Sequence, residues 1–116
     1  MMEVAHVLEA LADPTRRAIV EAVRHKPRAV NDIASGFSVS RPAISQHLRV
    51  LEEARLLRSR RSGRQKFYSV DLYGLTLLRN YLEGFWEDVL GAFQAAAERE
   101  SANVRRKRRS GAQEES

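Results

Sequence analysis

The residues of this chain best suited to chemistry lie in the stretch 41–49, which reads RPAISQHLR. At about 100° per residue, Pro42, Ser45, Gln46 and Arg49 gather on one face of a helix, with Arg41 at its start. The Gln amide offers a donor and an acceptor side by side, the Ser hydroxyl does either job, and Arg presents a fork of donors. Such groups can pair with the edges of nucleic-acid bases or with phosphate oxygens. Ile44, Leu48 and Leu51 recur at i, i+4 and i+7 on another face and would anchor the helix. Ser40 is a good N-cap, and Pro42 is tolerated in the first turn, where its missing N–H is not needed. A helix so built can lie in a DNA major groove. The same stretch also suits an ordinary amphipathic surface helix, so its neighbours must decide.

The elements on either side favour the groove. Val4, Val7, Leu8 and Leu11 have helix spacing, but that helix is too short to stand alone and must pack on something. Asp13 can cap a second helix from Pro14 to about His25, with Ala18, Ile19, Ala22 and Val23 inward. Arg16 and Arg17 oppose the dipole in its first turn, an arrangement that a phosphate partner would relieve. After a loop over residues 25–28 and a short extended pair at 29–30, Asn31 can cap a third helix. That helix would run to about Phe37, with Ile33, Ala34 and Phe37 inward and Gly36 ending it. Residues 37–40 then form a tight turn, in which Ser38 and Ser40 can contact phosphates or cap. Two short helices joined by such a turn are a helix-turn-helix.

Beyond a recognition helix over residues 41–54, residues 56–61 and 66–70 read as two strands, joined by a turn containing Gly63. The hairpin carries Arg58, Arg60, Arg61, Arg64 and Lys66 and no acid. Blunting an exposed strand edge needs fewer charges than this. A basic hairpin after a recognition helix is a wing, able to follow the DNA backbone or enter the minor groove. Charge is segregated along the chain. Residues 41–66 hold eight Arg/Lys against two Glu, whereas residues 71–100 hold two Arg against six acids. A basic segment of this kind is the footprint of a polyanion partner.

Asp71 can cap a last helix from residue 72 to about residue 100. Its apolar residues form nearly two faces, which include Tyr81, Leu82, Phe85, Trp86, Val89 and Phe93. A chain of 116 residues has too little else to cover both, so a second copy is the expected partner. The first helix, through Val4, Val7, Leu8 and Leu11, is expected to join that interface. Residues 101–116 include RRKRR, lose periodicity and read as a disordered basic tail outside a domain spanning 1–100. There is no Cys, which removes disulfides, thiolate metal sites and Cys nucleophiles. The apolar runs are too short to span a bilayer, and the acidic N-terminal stretch is unlike a secretory leader.

The segments LADPTRRAIVEAV, VNDIASGFSVSRPAISQHLRVLEEARLL and RSRRSGRQKFYSVD together resemble the ArsR/SmtB family of winged-helix transcriptional repressors over roughly residues 8–93. The resemblance implies a mostly α fold with a small β-hairpin, in the order ααααββα. It implies a homodimer joined through the first and last helices, binding of double-stranded DNA at a palindromic operator, and a cytoplasmic address. Metal-sensing members carry a Cys-containing motif before the recognition helix, where this chain has NDIASGF, or Asp and His ligands across the last helix, which here has no His. His6, His25 and His47 lie on three elements without ligand spacing, so no metal or cofactor site is expected. The FWEDVLGAF segment is similar to a non-metal subgroup, in which a small molecule or protein can serve as effector. His47 falls off the outward face and reads as a packing residue. Two other functional classes fit these residues less well. A protein-interaction winged helix would usually lose the basic wing, and an enzyme would need a nucleophile set, phosphate loop or metal cluster.

Overall fold

A computed structural model describes residues 2–114, with side chains described for residues 3–109. The element order is α1 (Met2–Ala12), α2 (Pro14–Ala22), β1 (Arg28–Ala29), α3 (Val30–Ser35), α4 (Arg41–Glu53), β2 (Leu57–Ser62), β3 (Gln65–Val70) and α5 (Leu72–Glu114). Residues 2–81 and the remainder of α5 form two units, described separately.

In the first unit, Val7, Ile19, Val23, Ile33, Ile44, Leu48, Leu51, Leu56, Leu57 and Tyr68 share one core. Leu75, Leu77 and Leu78 of α5 pack against it. Every helix from α1 to α4 turns its aliphatic stripe inward, as helical periodicity predicts. β1, β3 and β2 form an antiparallel sheet in that order. The extended pair at the end of the 25–28 loop is therefore a third strand, which pairs Arg28 with Tyr68 and Ala29 with Phe67. With a winged hairpin following two helices joined by a short turn, the architecture is a winged helix-turn-helix.

The caps are specific. Asp13 accepts a hydrogen bond from the Arg16 N–H at 2.9 Å. That bond holds its carboxyl below the ordinary aspartate range, so the cap is complete at neutral pH and is lost as acid protonates it. Ser40 Oγ accepts from the Ala43 N–H at 3.3 Å, and Asp71 Oδ1 accepts from the Tyr73 N–H at 3.0 Å. The expected cap at Asn31 is displaced. Helix α3 begins at Val30 with Ala29 in the cap position and no side-chain bond, because β1 delivers extended backbone directly to the helix. Helix α2 ends at Ala22, short of the expected His25.

At the end of α4 the chain makes a left-handed turn at Arg55, with φ 62°. The Arg55 N–H donates to the Glu52 carbonyl and the Leu56 N–H to the Leu51 carbonyl, both at 3.0 Å. This is a Schellman C-cap, which usually places Gly where Arg55 stands. The Arg55 side chain is held in return. Its guanidinium lies 3.9 Å from the centre of the Tyr73 ring, and its Nε lies 3.9 Å from Asp71 Oδ2. The Tyr73 hydroxyl donates to the Glu3 carboxylate at 3.0 Å, which raises the phenol above its ordinary value. The start of α5 is thereby fastened both to the end of α4 and to α1.

The last helix does not stop near residue 100. Helix α5 continues to Glu114, because residues 95–109 are rich in Ala, Arg, Lys and Glu, strong helix formers with no Pro among them. The expected disordered tail is thus drawn as helix over its described part, and residues 115 and 116 lie outside the described residues. Among the described residues no helix is long and apolar enough to cross a membrane.

Gly74 is fixed by close approach. Its N–H donates to the Arg55 carbonyl at 2.8 Å, and a Cβ at this position would lie 2.5 Å from that oxygen. Gly74→Ala is expected to destabilise the fold by about 1–3 kcal/mol, the usual range for overpacking against rigid neighbours. Urea unfolding followed by circular dichroism measures this, and an unchanged midpoint would contradict the contact.

Candidate nucleic-acid interface

Helix α4 is held by complete burial of one face. Ile44, Leu48 and Leu51 are each at most 1% exposed. That burial fixes the rotation of the helix and leaves Arg41, Pro42, Ser45, Gln46 and Arg49 all exposed on the outer side. Ser38 is exposed in the preceding turn, and Ser40 is exposed while its hydroxyl caps the helix. His47 is half-buried between the outward face and the buried face of α4.

The hairpin adjoins α4 through one acid. Glu52 accepts a hydrogen bond from Ser59 Oγ at 3.2 Å with one oxygen and faces Lys66 Nζ at 3.7 Å with the other. Lys66 also lies 5.4 Å from the centre of the Tyr68 ring. The sequence reading missed Glu52, because an acid in a basic segment looked like background. Its position in the last turn of the helix, ahead of a strand, was the available signal. Ser62 pairs with Gln65, so the hairpin turns on Gly63 and Arg64 alone, and Gly63 supplies the required positive φ of 63°. Arg64 is thus at the tip.

Strand register sorts the remaining cations. Leu57, Ser59 and Arg61 share the sheet face that meets α4, opposite Val70, Tyr68 and Lys66. Arg58 and Arg60 share the other face, opposite Ser69 and Phe67. Ser45, Arg49, Glu52, Glu53, Lys66 and Tyr68 line a groove of about 410 Å³ between the outer side of α4 and the wing. By register, Arg61 and Lys66 share the sheet face that meets α4, Arg64 sits at the tip, and Arg60 lies on the other face.

Arg16 and Arg17 both turn back onto the end of α1. Its Nε donates to the Ala10 carbonyl at 2.7 Å and its Nη2 to the Glu9 carbonyl at 3.1 Å. Arg17 Nη1 donates to the Leu11 carbonyl at 2.7 Å. Both guanidinium groups satisfy the free carbonyls at the negative end of α1, which explains two Arg in the first turn of α2 without a phosphate.

The expected dimer residues also separate. Val7 is fully buried and Val4 nearly so, because α1 turns these positions inward. They are corrected from interface to core. Leu11 is half-buried against the core, and Leu8 remains 41% exposed. In the second unit Leu82, Phe85, Trp86, Val89 and Phe93 are all exposed, with Phe93 at 71%. Among the described residues no group of three or more His, Cys, Asp or Glu is placed to hold a metal ion.

If Glu52 is the clamp between wing and helix, Glu52→Ala will release Ser59 and Lys66 together. Hydrogen exchange by mass spectrometry is expected to rise in the peptides covering 57–70 and to stay unchanged in α2. Unchanged exchange in the hairpin would contradict the clamp.

Comparison with known proteins agrees with this geometry. Residues 13–59 match the family model described as bacterial regulatory protein, arsR family. Over 85 residues the chain is 49% identical to the HTH-type transcriptional regulator Rv2034 of Mycobacterium tuberculosis, covering 73% of this chain and 79% of that protein. Over 80 residues it is 34% identical to the transcriptional repressor SdpR of Bacillus subtilis, covering 69% of this chain and 89% of that one. A solution structure of the homodimeric winged helix-turn-helix DNA-binding domain of Mb0332 from Mycobacterium bovis superposes with a TM-score of 0.60 at 26% identity. That match covers 74% of this chain and 80% of the other. With the α4 face, the wing and these likenesses together, the chain belongs to the arsR family of bacterial regulatory proteins and is a transcriptional regulator of the helix-turn-helix type.

Proposed function

We propose that this protein is a dimeric repressor that binds a palindromic operator in double-stranded DNA. The observation that carries the reading is the outer face of α4. Its apolar side is fully buried, so Ser45, Gln46 and Arg49 are presented in one fixed orientation beside a cationic hairpin. Gln46 would pair with an adenine edge, and Ser45 with either a donor or an acceptor. Arg41 and Arg49 would read guanine or hold phosphates. Ser38, Arg61 and the tip residue Arg64 would contact backbone, adding affinity that depends on salt and little on sequence. Lys66 contributes less free charge than its position suggests, because Glu52 compensates it.

A second copy supplies the symmetry. Isolated apolar side chains are common on surfaces, but Phe85, Trp86, Val89 and Phe93 are contiguous on α5 and exposed together. Covering them with the same surface of another protomer would give a two-fold dimer with two recognition helices, the number needed to read two half-sites about one turn of DNA, 34 Å, apart. The homodimeric state of the Mb0332 domain supports this, and the name of SdpR supports repression. Repression would follow from occlusion of polymerase. Such a regulator works in the cytoplasm.

Two variants separate the roles. Gln46→Ala is expected to reduce discrimination between operator and random duplex by about 1–3 kcal/mol with little change in salt slope. Arg64→Ala is expected to weaken both duplexes alike and to lower the slope by about one. Fluorescence anisotropy titration over a salt series measures both, and equal slopes for wild type and Arg64→Ala would remove the wing from the interface. For the dimer, Phe85→Glu with Trp86→Glu is expected to give a monomer by light scattering. A dimer that survives both charges would place the interface elsewhere.

A further inference from the structure

The division of cations across the wing leaves one pair without a task. Arg61 and Arg64 lie on the α4 side and the tip, and Lys66 is held by Glu52. Arg58 and Arg60 lie on the opposite face, two residues apart, and the ion pairs found among the described residues include neither. They border a concavity of about 660 Å³ lined also by Ser62, Ser69, Phe67 and Pro27, with no acidic side chain on its wall. Phe67 is half-buried at the edge of this hollow.

These residue types in one hollow have a chemical reading. Two guanidinium groups on alternate strand positions can both turn toward one anion, and Arg matches the geometry of phosphate and carboxylate oxygens. Serine hydroxyls donate to the same oxygens. An aromatic ring and a prolyl ring offer a flat apolar surface, which inorganic ions do not use. The volume falls in the range of about 300–1,000 Å³ typical of small-ligand pockets.

We propose that the hollow between β2, β3 and the loop before β1 binds a small organic oxyanion, a phosphate ester or carboxylate on a planar or apolar body. The oxyanion lies between Arg58 and Arg60, and the body lies against Phe67 and Pro27. The site is independent of the DNA-binding reading. If that reading holds, an occupant subtracts positive charge from the hairpin and weakens attraction for DNA.

The test is a titration of the full chain with phenyl phosphate, followed by amide chemical shifts, with inorganic phosphate in parallel. Saturable shifts in β2 and β3 are expected, with weaker binding of inorganic phosphate. Arg58→Ala with Arg60→Ala is expected to weaken phenyl phosphate about tenfold or more, the loss of a charge-assisted hydrogen bond. Arg61→Ala with Arg64→Ala, which removes equal charge from the other side, is expected to change it by less than about twofold. Absence of saturation would overturn the proposal, and so would equal weakening by the two pairs, which would indicate only diffuse charge. If Arg58→Ala with Arg60→Ala lowers the salt slope for duplex as much as the other pair while phenyl phosphate fails to saturate, the surface belongs to DNA.

Discussion

The complete burial of Ile44, Leu48 and Leu51 is the constraint on which the interface depends. Three aliphatic side chains on one face of α4, each closed to solvent, leave the helix no freedom to roll about its axis. Removing any of them would cost about 2–5 kcal/mol. What the opposite face presents follows from that seating. The short Ser45 side chain has few rotamers to lose, so a fixed backbone is enough to aim it, whereas Gln46 gives up about 1.5–2 kcal/mol of rotamer freedom when it is held in place. Specific reading of a groove demands this, since a misplaced bidentate pair is no better than a solvated one.

A second constraint begins where α4 ends. The left-handed turn at Arg55 sends the chain into the wing, and its carbonyl receives the first turn of α5 through Gly74. A non-glycine residue in this conformation costs roughly 1 kcal/mol. The Arg55 side chain gives something Gly cannot, a contact with the Tyr73 ring and an ion pair with Asp71. Tyr73 in turn reaches Glu3 of α1. The segment that orients the reading helix is therefore joined to the two helices that carry the exposed apolar residues Leu8 and Phe85. Glu52 completes the frame from the other side by holding the hairpin. The wing is thus not a free arm: its base is clamped, and only its tip is open.

Much of this was legible in the residues. Periodicity located every helix, because amphipathic spacing is the direct record of one-sided burial. Asp13, Ser40 and Asp71 were recognisable caps, since each precedes a helical pattern with a short acceptor side chain. Gly63 marked the hairpin. What the sequence concealed depended on direction in space. Arg16 and Arg17 looked like phosphate ligands but close the end of α1, because a long side chain can turn back onto carbonyls six residues earlier. Val4 and Val7 share a heptad with Leu8, and periodicity alone did not show which of them faces inward. Arg60 and Arg61 are adjacent in sequence and opposite in space, a consequence of the two-residue strand period. Gly74 gave no sign at all, since its need for close approach arises from a partner nineteen residues away.

In the proposed dimer, two copies of α4 read one operator together. Selection from randomised duplexes with the purified full chain at physiological salt tests it most directly. Enrichment of an inverted repeat whose half-sites are centred about one helical turn apart is expected. Enrichment of a single unrepeated site, or no enrichment over random duplex, would contradict it.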